Sequence, residues 1–278
     1  MPELPEVETV RRGLNQLTLN QTITGGDVLL LRTVAYPFSI EEFIANIQGS
    51  AIISWHRRGK YLLAELSRSS TWLGVHLRMT GQLLWLKRDE PLHKHTRVRL
   101  FFGEEQELRF VDQRTFGQIW YVPPNVAVES IITGLAKLAV DPFSPEFTVE
   151  YLANKLQKSR RPIKTALLDQ SIVAGLGNIY ADEALFKSGI LPTTLCADLQ
   201  SPQIELLRTA IIQVLSASIA AGGTTFSNFL NVKGVNGNYG GEAWVYNRTG
   251  EPCKVCSNVI GRIKLGGRSS HFCDQCQK

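Results

Sequence analysis

The chain has 278 residues, 30 Lys+Arg against 25 Asp+Glu, a formal charge of +5, and a composition 44% hydrophobic and 20% charged. That balance excludes long disorder, a collagen repeat and a coiled coil, while the length allows one large domain or two smaller ones. The mild positive charge permits a nucleic-acid partner without demanding one.

In chain order, the first predicted element is a helix. Pro5 suits its first turn, and Val7, Val10, Leu14 and Leu17 recur on one face. Glu6 and Glu8 come early and Arg11 and Arg12 late, as the helix dipole favours. From about Thr22 to Val122 the pattern is mostly strands, among them Ala51–Trp55, Tyr61–Leu66, Gln82–Leu86, Val98–Phe102 and Glu107–Val111. Short turns such as Arg58-Gly59 and Gly103-Glu104 predict antiparallel sheets in a sandwich or barrel. Ser39 and Glu42 form a capping-box pattern that opens a helix carrying Phe43, Ile44 and Ile47. Pro123-Pro124-Asn125 ends the strand run, and the stretch up to Pro145 reads as a linker or irregular crossing. Helices follow at Thr148–Lys158, Pro162–Asp169 and Asn178–Lys187, then from Ser201-Pro202 to Gly222-Gly223. Six glycines between Gly222 and Gly241 predict a mobile loop. No apolar run reaches the ~18–20 residues of a membrane span, the longest, Ala210–Ala221, being broken by Gln213, Ser216 and Ser218. Glu3, Glu6 and Glu8 stand where a secretory signal would be cationic.

Four of the five cysteines fall at the end, as Cys253-x-x-Cys256 and Cys273-x-x-Cys276, and Cys196 stands alone. Each pair offers two thiolates to one tetrahedral ion, the spacing of a zinc ribbon whose four sulfurs leave no open position. One structural Zn2+ and no organic cofactor are expected, in a reducing, cytoplasmic setting; Cys196 is expected to be a buried thiol. The ribbon is locally basic, with Lys254, Arg262, Lys264, Arg268 and Lys278 against Glu251 and Asp274. That suits phosphate contact or simply a solvated hairpin. Lys155, Lys158, Arg160, Arg161 and Lys164 form a second basic stretch ahead of Gly175-Leu176-Gly177-Asn178, a turn that either cradles a phosphate at a helix start or only joins two helices. The start, Met1-Pro2-Glu3-Leu4-Pro5-Glu6-Val7-Glu8-Thr9, allows two readings. Loss of Met1 would leave a secondary amine on Pro2 with an α-amino pKa of roughly 7.7–8.0, able to attack a sugar carbon. The plainer reading is a helix-opening proline with capping acids.

Pro2-Glu3-Leu4-Pro5-Glu6-Val7-Glu8-Thr9 resembles the opening of the bacterial formamidopyrimidine-DNA glycosylases. The resemblance continues through Arg58-Gly59-Lys60-Tyr61, His76-Leu77-Arg78-Met79-Thr80-Gly81, Gly175-Leu176-Gly177-Asn178-Ile179-Tyr180 and the cysteine ribbon, over nearly the whole chain. It implies an α+β fold: an N-terminal antiparallel β-sandwich flanked by helices (1–130), a linker (131–146), a helical domain with a helix–two-turns–helix motif (147–240), and a β-hairpin zinc ribbon (241–278). DNA would lie in a basic cleft between the domains, and residues 222–241 would cap the lesion.

The resemblance also implies a monomeric repair enzyme of the bacterial cytoplasm and nucleoid. It would remove oxidised purines such as 8-oxoguanine from double-stranded DNA and then cut the strand by β,δ-elimination. Pro2 would be the nucleophile and Glu3 the acid/base. Lys60 would serve β-elimination and Arg268 δ-elimination. Met79 would fill the void left by the extruded base, Phe116 would wedge between bases and Arg114 would pair with the orphaned cytosine. His95, Arg160, Lys164 and Asn178 would contact DNA. Glu6 matches a further family acid or simply holds the terminus. Arg97 stands where a second histidine is common, and Gln113 and Thr115 replace a frequent Pro and Arg. Asn228 and Asn247 replace a frequent Asp and Gly. The rivals are an endonuclease VIII-like enzyme for oxidised pyrimidines and a non-catalytic zinc-ribbon protein. The Leu4-Pro5-Glu6-Val7 opening and the Arg114/Phe116 pair favour the purine enzyme over the first. The joint presence of Pro2, Glu3 and Lys60 argues against the second.

Overall fold

Helix α1 (Leu4–Leu17) forms as its apolar spacing predicts, with Pro5 in its first turn and Leu4, Val7, Val10 and Leu14 buried. The computed structural model that shows this describes residues 1–68, 70–224 and 229–278. Nine strands follow: β1 (Ile23–Val28), β2 (Val34–Tyr36), β3 (Ile52–Arg58), β4 (Tyr61–Leu66), β5 (Thr71–His76), β6 (Gly81–Lys87), β7 (Thr96–Phe102), β8 (Gln106–Asp112) and β9 (Gln118–Val122). Helix α2 (Ile40–Ile47) interrupts them, and Ser39 caps it by accepting the Glu42 N–H at 3.2 Å. The strands make a four-stranded sheet, β1-β7-β8-β6, and a five-stranded sheet, β2-β9-β5-β4-β3.

All these pairings are antiparallel except one. β2 runs parallel to β9, with Val34 opposite Ile119. This one pair is an exception within the antiparallel sandwich expected: more than eighty residues separate the partners, so no turn signal announces the pairing. Alternation in β7 buries Val98, Leu100 and Phe102, whereas Leu62, Leu63 and Ala64 of β4 are all buried. β4, an inner strand between β5 and β3, is therefore covered on both faces. Trp55, Leu73 and Val75 share one core with Leu83, Phe102, Phe110 and the apolar face of α1. Each such side chain contributes about 1.5–3 kcal/mol on burial.

α1 is tied to β3 by more than apolar contact. The Asn15 side chain donates to the Trp55 carbonyl and accepts the Trp55 N–H, both at 2.9 Å, and the Trp55 indole donates to Thr18 Oγ1 at 2.9 Å. Glu8 gathers Arg11 (2.7 Å), Arg12 (2.9 Å) and, from β3, Arg57 (3.2 Å).

Helices α3 (Val128–Ile131), α4 (Val149–Leu156), α5 (Ile163–Leu167), α6 (Asn178–Lys187) and α7 (Ser201–Ala220) follow, then the hairpin β10 (Gly261–Leu265) and β11 (Arg268–Phe272). Thr148 caps α4 by accepting the Tyr151 N–H at 3.0 Å. With 20 residues and a mean hydropathy of 1.2, α7 is long and apolar enough to cross a membrane, contrary to the sequence expectation. The interrupting Gln213, Ser216 and Ser218 are too few to lower the average of a helix-length window. In the structure α4 and α6 pack on α7, and Ile204, Leu207, Ile211 and Leu215 are buried.

Two compact units emerge: Met1–Ala136 with Ala221–Asn238, and Lys137–Ala220 with Tyr239–Lys278. Part of the glycine-rich stretch thus belongs to the first unit. Phe229 and Val232 are buried in its core, and the Trp85 N–H donates to the Val232 carbonyl at 2.9 Å. At those positions the stretch is anchored, where the glycine count alone predicts mobility. Glycine also serves close approach here, since a Cβ on Gly237 would lie 2.2 Å from the Gly223 carbonyl. Residues 225–228, Asn228 among them, lie outside the described residues.

Burial pushes the Glu8 carboxyl up, but hydrogen bonds from Arg11 and Arg12 and the Arg57 charge outweigh it and hold Glu8 at about 2, against an ordinary 4.5. This stabilisation is fully present above pH 4.5 and is lost as pH falls towards 2. Glu8→Gln is expected to flatten that acid limb and to lower stability at pH 7 by about 1–2 kcal/mol, the partly solvated arginines screening the rest. Thermal melts between pH 2 and 7 check it.

Candidate functional site

The chain start is held, not frayed. Pro2 is buried and Glu3 is 2% exposed. The Glu3 N–H donates to Glu6 Oε2 at 2.7 Å, and Glu6 Oε1 accepts the Thr224 N–H at 2.9 Å. Glu6 is fully buried, and its carboxylate joins the first residues to the far end of the same unit. These bonds are what a residue that holds the terminus would make. Pro2 lines a cavity of about 570 Å³ together with Met79, Gln82, His95, Gln113, Phe229 and Leu230. That volume suits a small organic group, and its wall combines apolar side chains with a few polar ones.

Lys60 sits in the tight turn between β3 and β4, where Gly59 takes φ +56° and Arg58 pairs with Tyr61. Arg57 donates to the Gly59 carbonyl and to Glu8, both at 3.2 Å, tying this turn to α1. Lys60 is only 6% exposed. Burial first, then the Arg78 and Lys60 charges, push His76 down to about 3. It is neutral at pH 7, and its Nδ1 accepts the Arg78 N–H at 2.9 Å, so the proton sits on Nε2.

Two loops carry the expected DNA probes. Met79 is half-buried in the turn from β5 to β6, next to Arg78 at φ +53°. Arg114 and Phe116 are exposed between β8 and β9, the guanidinium carbon 5.1 Å from the ring centroid. Thr115 between them takes φ +58°, and Arg32 donates to its hydroxyl.

In the second unit, Gln170 braces the turns between α5 and α6. Its amide donates to the Leu176 carbonyl at 2.8 Å and accepts the Gly175 N–H at 2.9 Å. Asn178 opens α6 and donates to the Ser269 carbonyl of the hairpin at 3.0 Å, while its Oδ1 is buried without a hydrogen-bond partner. Arg160 is exposed. Lys164 is not: it is fully buried, ion-paired to Asp182, and donates to the Asn178 carbonyl at 2.8 Å. The expectation that Lys164 contacts DNA is therefore corrected. It lies at the second position of α5, on the helix's buried face, and spends its charge internally. Asp182 also accepts the His271 N–H at 3.1 Å and pairs with His271 Nδ1 at 2.9 Å, so one carboxylate binds α5, α6 and the hairpin together.

The four ribbon sulfurs lie within 4.8 Å of one another, with Cys253 and Cys276 3.8 Å apart and Cys256 and Cys273 3.4 Å apart. A tetrahedron of zinc–sulfur bonds of about 2.3 Å spaces its sulfurs by about 3.8 Å, so the donor set fits one zinc and fills its coordination. When bound, the ion supplies structure by closing the base of the hairpin; Arg268, the first residue of β11, is exposed beside its tip. Cys196 is buried, as expected.

Family models match along the chain: "Formamidopyrimidine-DNA glycosylase N-terminal domain" at residues 1–119, "Formamidopyrimidine-DNA glycosylase H2TH domain" at 138–229, and "Zinc finger found in FPG and IleRS" at 250–278. A formamidopyrimidine-DNA glycosylase from a Nostoc species is 81% identical, and one from Nostoc punctiforme 82%, covering all of this chain and 100% and 96% of those proteins. The chain belongs to the formamidopyrimidine-DNA glycosylase family. The Lactococcus lactis Fpg in complex with abasic-site DNA matches at TM-score 0.90 and 35% identity over 99% of both chains. Its complex with N7-benzyl-Fapy-dG DNA matches at 0.91 and 36% over 100% of both.

Departures from the glycosylase pattern find local reasons. Asn247 takes φ +60°, a left-handed conformation that glycine adopts freely and asparagine tolerates. Arg97 donates to the Asp112 carbonyl at 2.8 Å and pairs with His95 Nδ1 at 3.1 Å. Sequence reasoning passed over Asp112, Asp182, His271 and Gln170, because an isolated polar residue near a strand end or in a helix carries no motif.

Asp182→Asn is expected to cost about 3–5 kcal/mol, since it leaves the Lys164 charge buried without its counter-ion; denaturant unfolding measures it. Cys253→Ser is expected to lower bound zinc from one ion per chain to near zero, as read by metal analysis of the purified protein.

Proposed function

We propose that the cavity beside Pro2 is the centre at which this chain, a DNA glycosylase of the oxidised-purine family, excises the damaged base and then cleaves the abasic strand. The observation that carries the reading is the placement of Pro2, buried and held at the wall of a cavity that Met79 and His95 also line. Solved relatives 35–36% identical hold abasic and Fapy-dG DNA, which supports the same substrate class here.

Removal of Met1 frees the Pro2 amine, and its neutral form attacks the sugar C1′ as the base leaves. The sugar ring then opens, C1′–O4′ breaking as Glu3 delivers a proton to O4′, and the resulting iminium makes the C2′ proton acidic, so the 3′ phosphate and then the 5′ phosphate depart by elimination. Glu3 moves protons at the sugar, its position set by the bond from its own N–H to Glu6. Lys60 and Arg268 stabilise the departing phosphates. Met79 fills the void, Phe116 wedges the stack and Arg114 reads the opposite base, each offered from a turn. His95, Arg160 and Asn178 contact the backbone, and residues 222–241 cap the extruded base. Residues 1–130 form the catalytic domain, joined by 221–238, which belong to the same compact unit; the rest of 147–240 forms the helical DNA-binding domain and 241–278 the zinc ribbon. The enzyme works as a monomer in the bacterial cytoplasm.

Borohydride reduction on duplex DNA containing 8-oxoguanine is expected to trap a covalent adduct on the N-terminal peptide. Pro2→Gly, or retention of Met1, should abolish it. A native terminus that gives no adduct would refute the Pro2 assignment.

A further inference from the structure

Asp112 ends β8, opposite Gly81 at the start of β6, and is 1% exposed. Every polar group on this residue is engaged. Oδ1 accepts the Thr80 hydroxyl at 2.5 Å, and Oδ2 accepts the Gly117 N–H at 2.7 Å. Its own N–H donates to the His95 carbonyl at 2.9 Å, and its carbonyl accepts Arg97 Nε at 2.8 Å. Thr80 Oγ1 in turn accepts the Arg114 N–H at 2.9 Å. The threonine hydroxyl has one proton. Committed to Asp112, it leaves the oxygen lone pairs to Arg114, so the direction of the chain is set.

Asp112 therefore stands where three segments meet: its carboxylate joins the turn carrying Met79 to the turn carrying Arg114 and Phe116, and its backbone bonds the strand start carrying His95. The fit admits no spare atom. A Cβ on Gly117 would lie 2.4 Å from the Phe110 ring and 3.0 Å from Asp112 Oδ2, and one on Gly81 would lie 2.4 Å from the Leu77 carbonyl. Both probe turns hold a non-glycine residue in left-handed backbone, Arg78 at φ +53° and Thr115 at φ +58°. Such conformations persist where surrounding bonds over-determine them.

We propose that Asp112, acting through Thr80, is a positioning residue that locks the Met79 turn and the Arg114–Phe116 turn into one unit, so that filling the void and reading the opposite base happen together. This rests on the reading of Met79, Arg114 and Phe116 as DNA probes. Asp112 touches no substrate atom; it sets the spacing between the groups that do. Asparagine at this position keeps the shape but turns one acceptor into a donor, and it cannot accept from both Thr80 and Gly117. Valine at position 80 keeps the volume and removes the relay, whereas serine keeps the hydroxyl.

The test compares Asp112→Asn, Thr80→Val and Thr80→Ser with the parent enzyme in single-turnover assays. One substrate is 8-oxoguanine opposite cytosine, a second is 8-oxoguanine opposite adenine, and a third is a preformed abasic site, whose cleavage depends on Pro2 but not on extruding an intact base. Asp112→Asn and Thr80→Val should slow excision opposite cytosine by about tenfold or more and shrink the cytosine-over-adenine preference by a similar factor. Abasic-site cleavage should change by less than about threefold, and Thr80→Ser should restore the preference. Unchanged excision and preference in both variants would overturn the proposal. So would an equal loss on all three substrates in variants that still melt cooperatively, since that marks a merely structural role. Failure of the parent enzyme to cleave or be trapped on any substrate would instead overturn the glycosylase reading on which the proposal stands.

Discussion

The reactive nitrogen proposed here lies at the end of a chain, and chain ends fray unless something holds them. Glu6 is what holds this one. It is fully buried, and its two oxygens accept the N–H groups of Glu3 and of Thr224, 218 residues away from it. A polar group left without partners in a buried place is costly, and these bonds avoid that cost. The bond to Thr224 therefore helps hold the chain start, and the cavity wall that Pro2 forms depends on this bridge. α1 carries the constraint onward through Glu8 and Arg57 to the turn that bears Lys60.

The same device recurs. Asp112 collects the probe turns of the first unit, and Asp182 collects α5, α6 and the zinc hairpin of the second. A carboxylate suits this work because two oxygens can accept several donors from different segments, and a loop tip has donors to spare and few apolar side chains. The sheets and helices supply bulk stability through their apolar cores. The acids decide where the loops between them sit. Lys164 shows the consequence for reading charge: a cation in a basic run is free for a phosphate only if no buried acid has claimed it.

At 35–36% identity the Lactococcus relatives superpose at TM-scores of 0.90–0.91. Most side chains therefore differ while the fold persists. Two side chains show how local geometry sets what a position tolerates: Asn247 holds a left-handed backbone that suits glycine or asparagine, and Arg97 brings donors to His95 and Asp112.

Local chemistry was legible from the sequence by itself. The bounds of α6 are those expected, and Ser39 and Thr148 cap the helices their positions announced. The four cysteines lie where one zinc can hold them. Pro2, Met79, Lys60 and Arg268 were identified by motif, and the structure puts Pro2 and Met79 on one cavity, Lys60 in a turn and Arg268 at the start of β11. Each of these signals spans a few residues, the range over which caps, periodicity and ligand spacing act. What the tertiary structure decided lies beyond that range. The parallel β2–β9 pair, the burial of Lys164, the anchoring of Phe229 and Val232 in the first core, and the convergence on Glu6, Asp112 and Asp182 all join residues far apart in the chain. Those contacts come from burial and from satisfying buried polar groups once the chain is compact, and no local pattern encodes them.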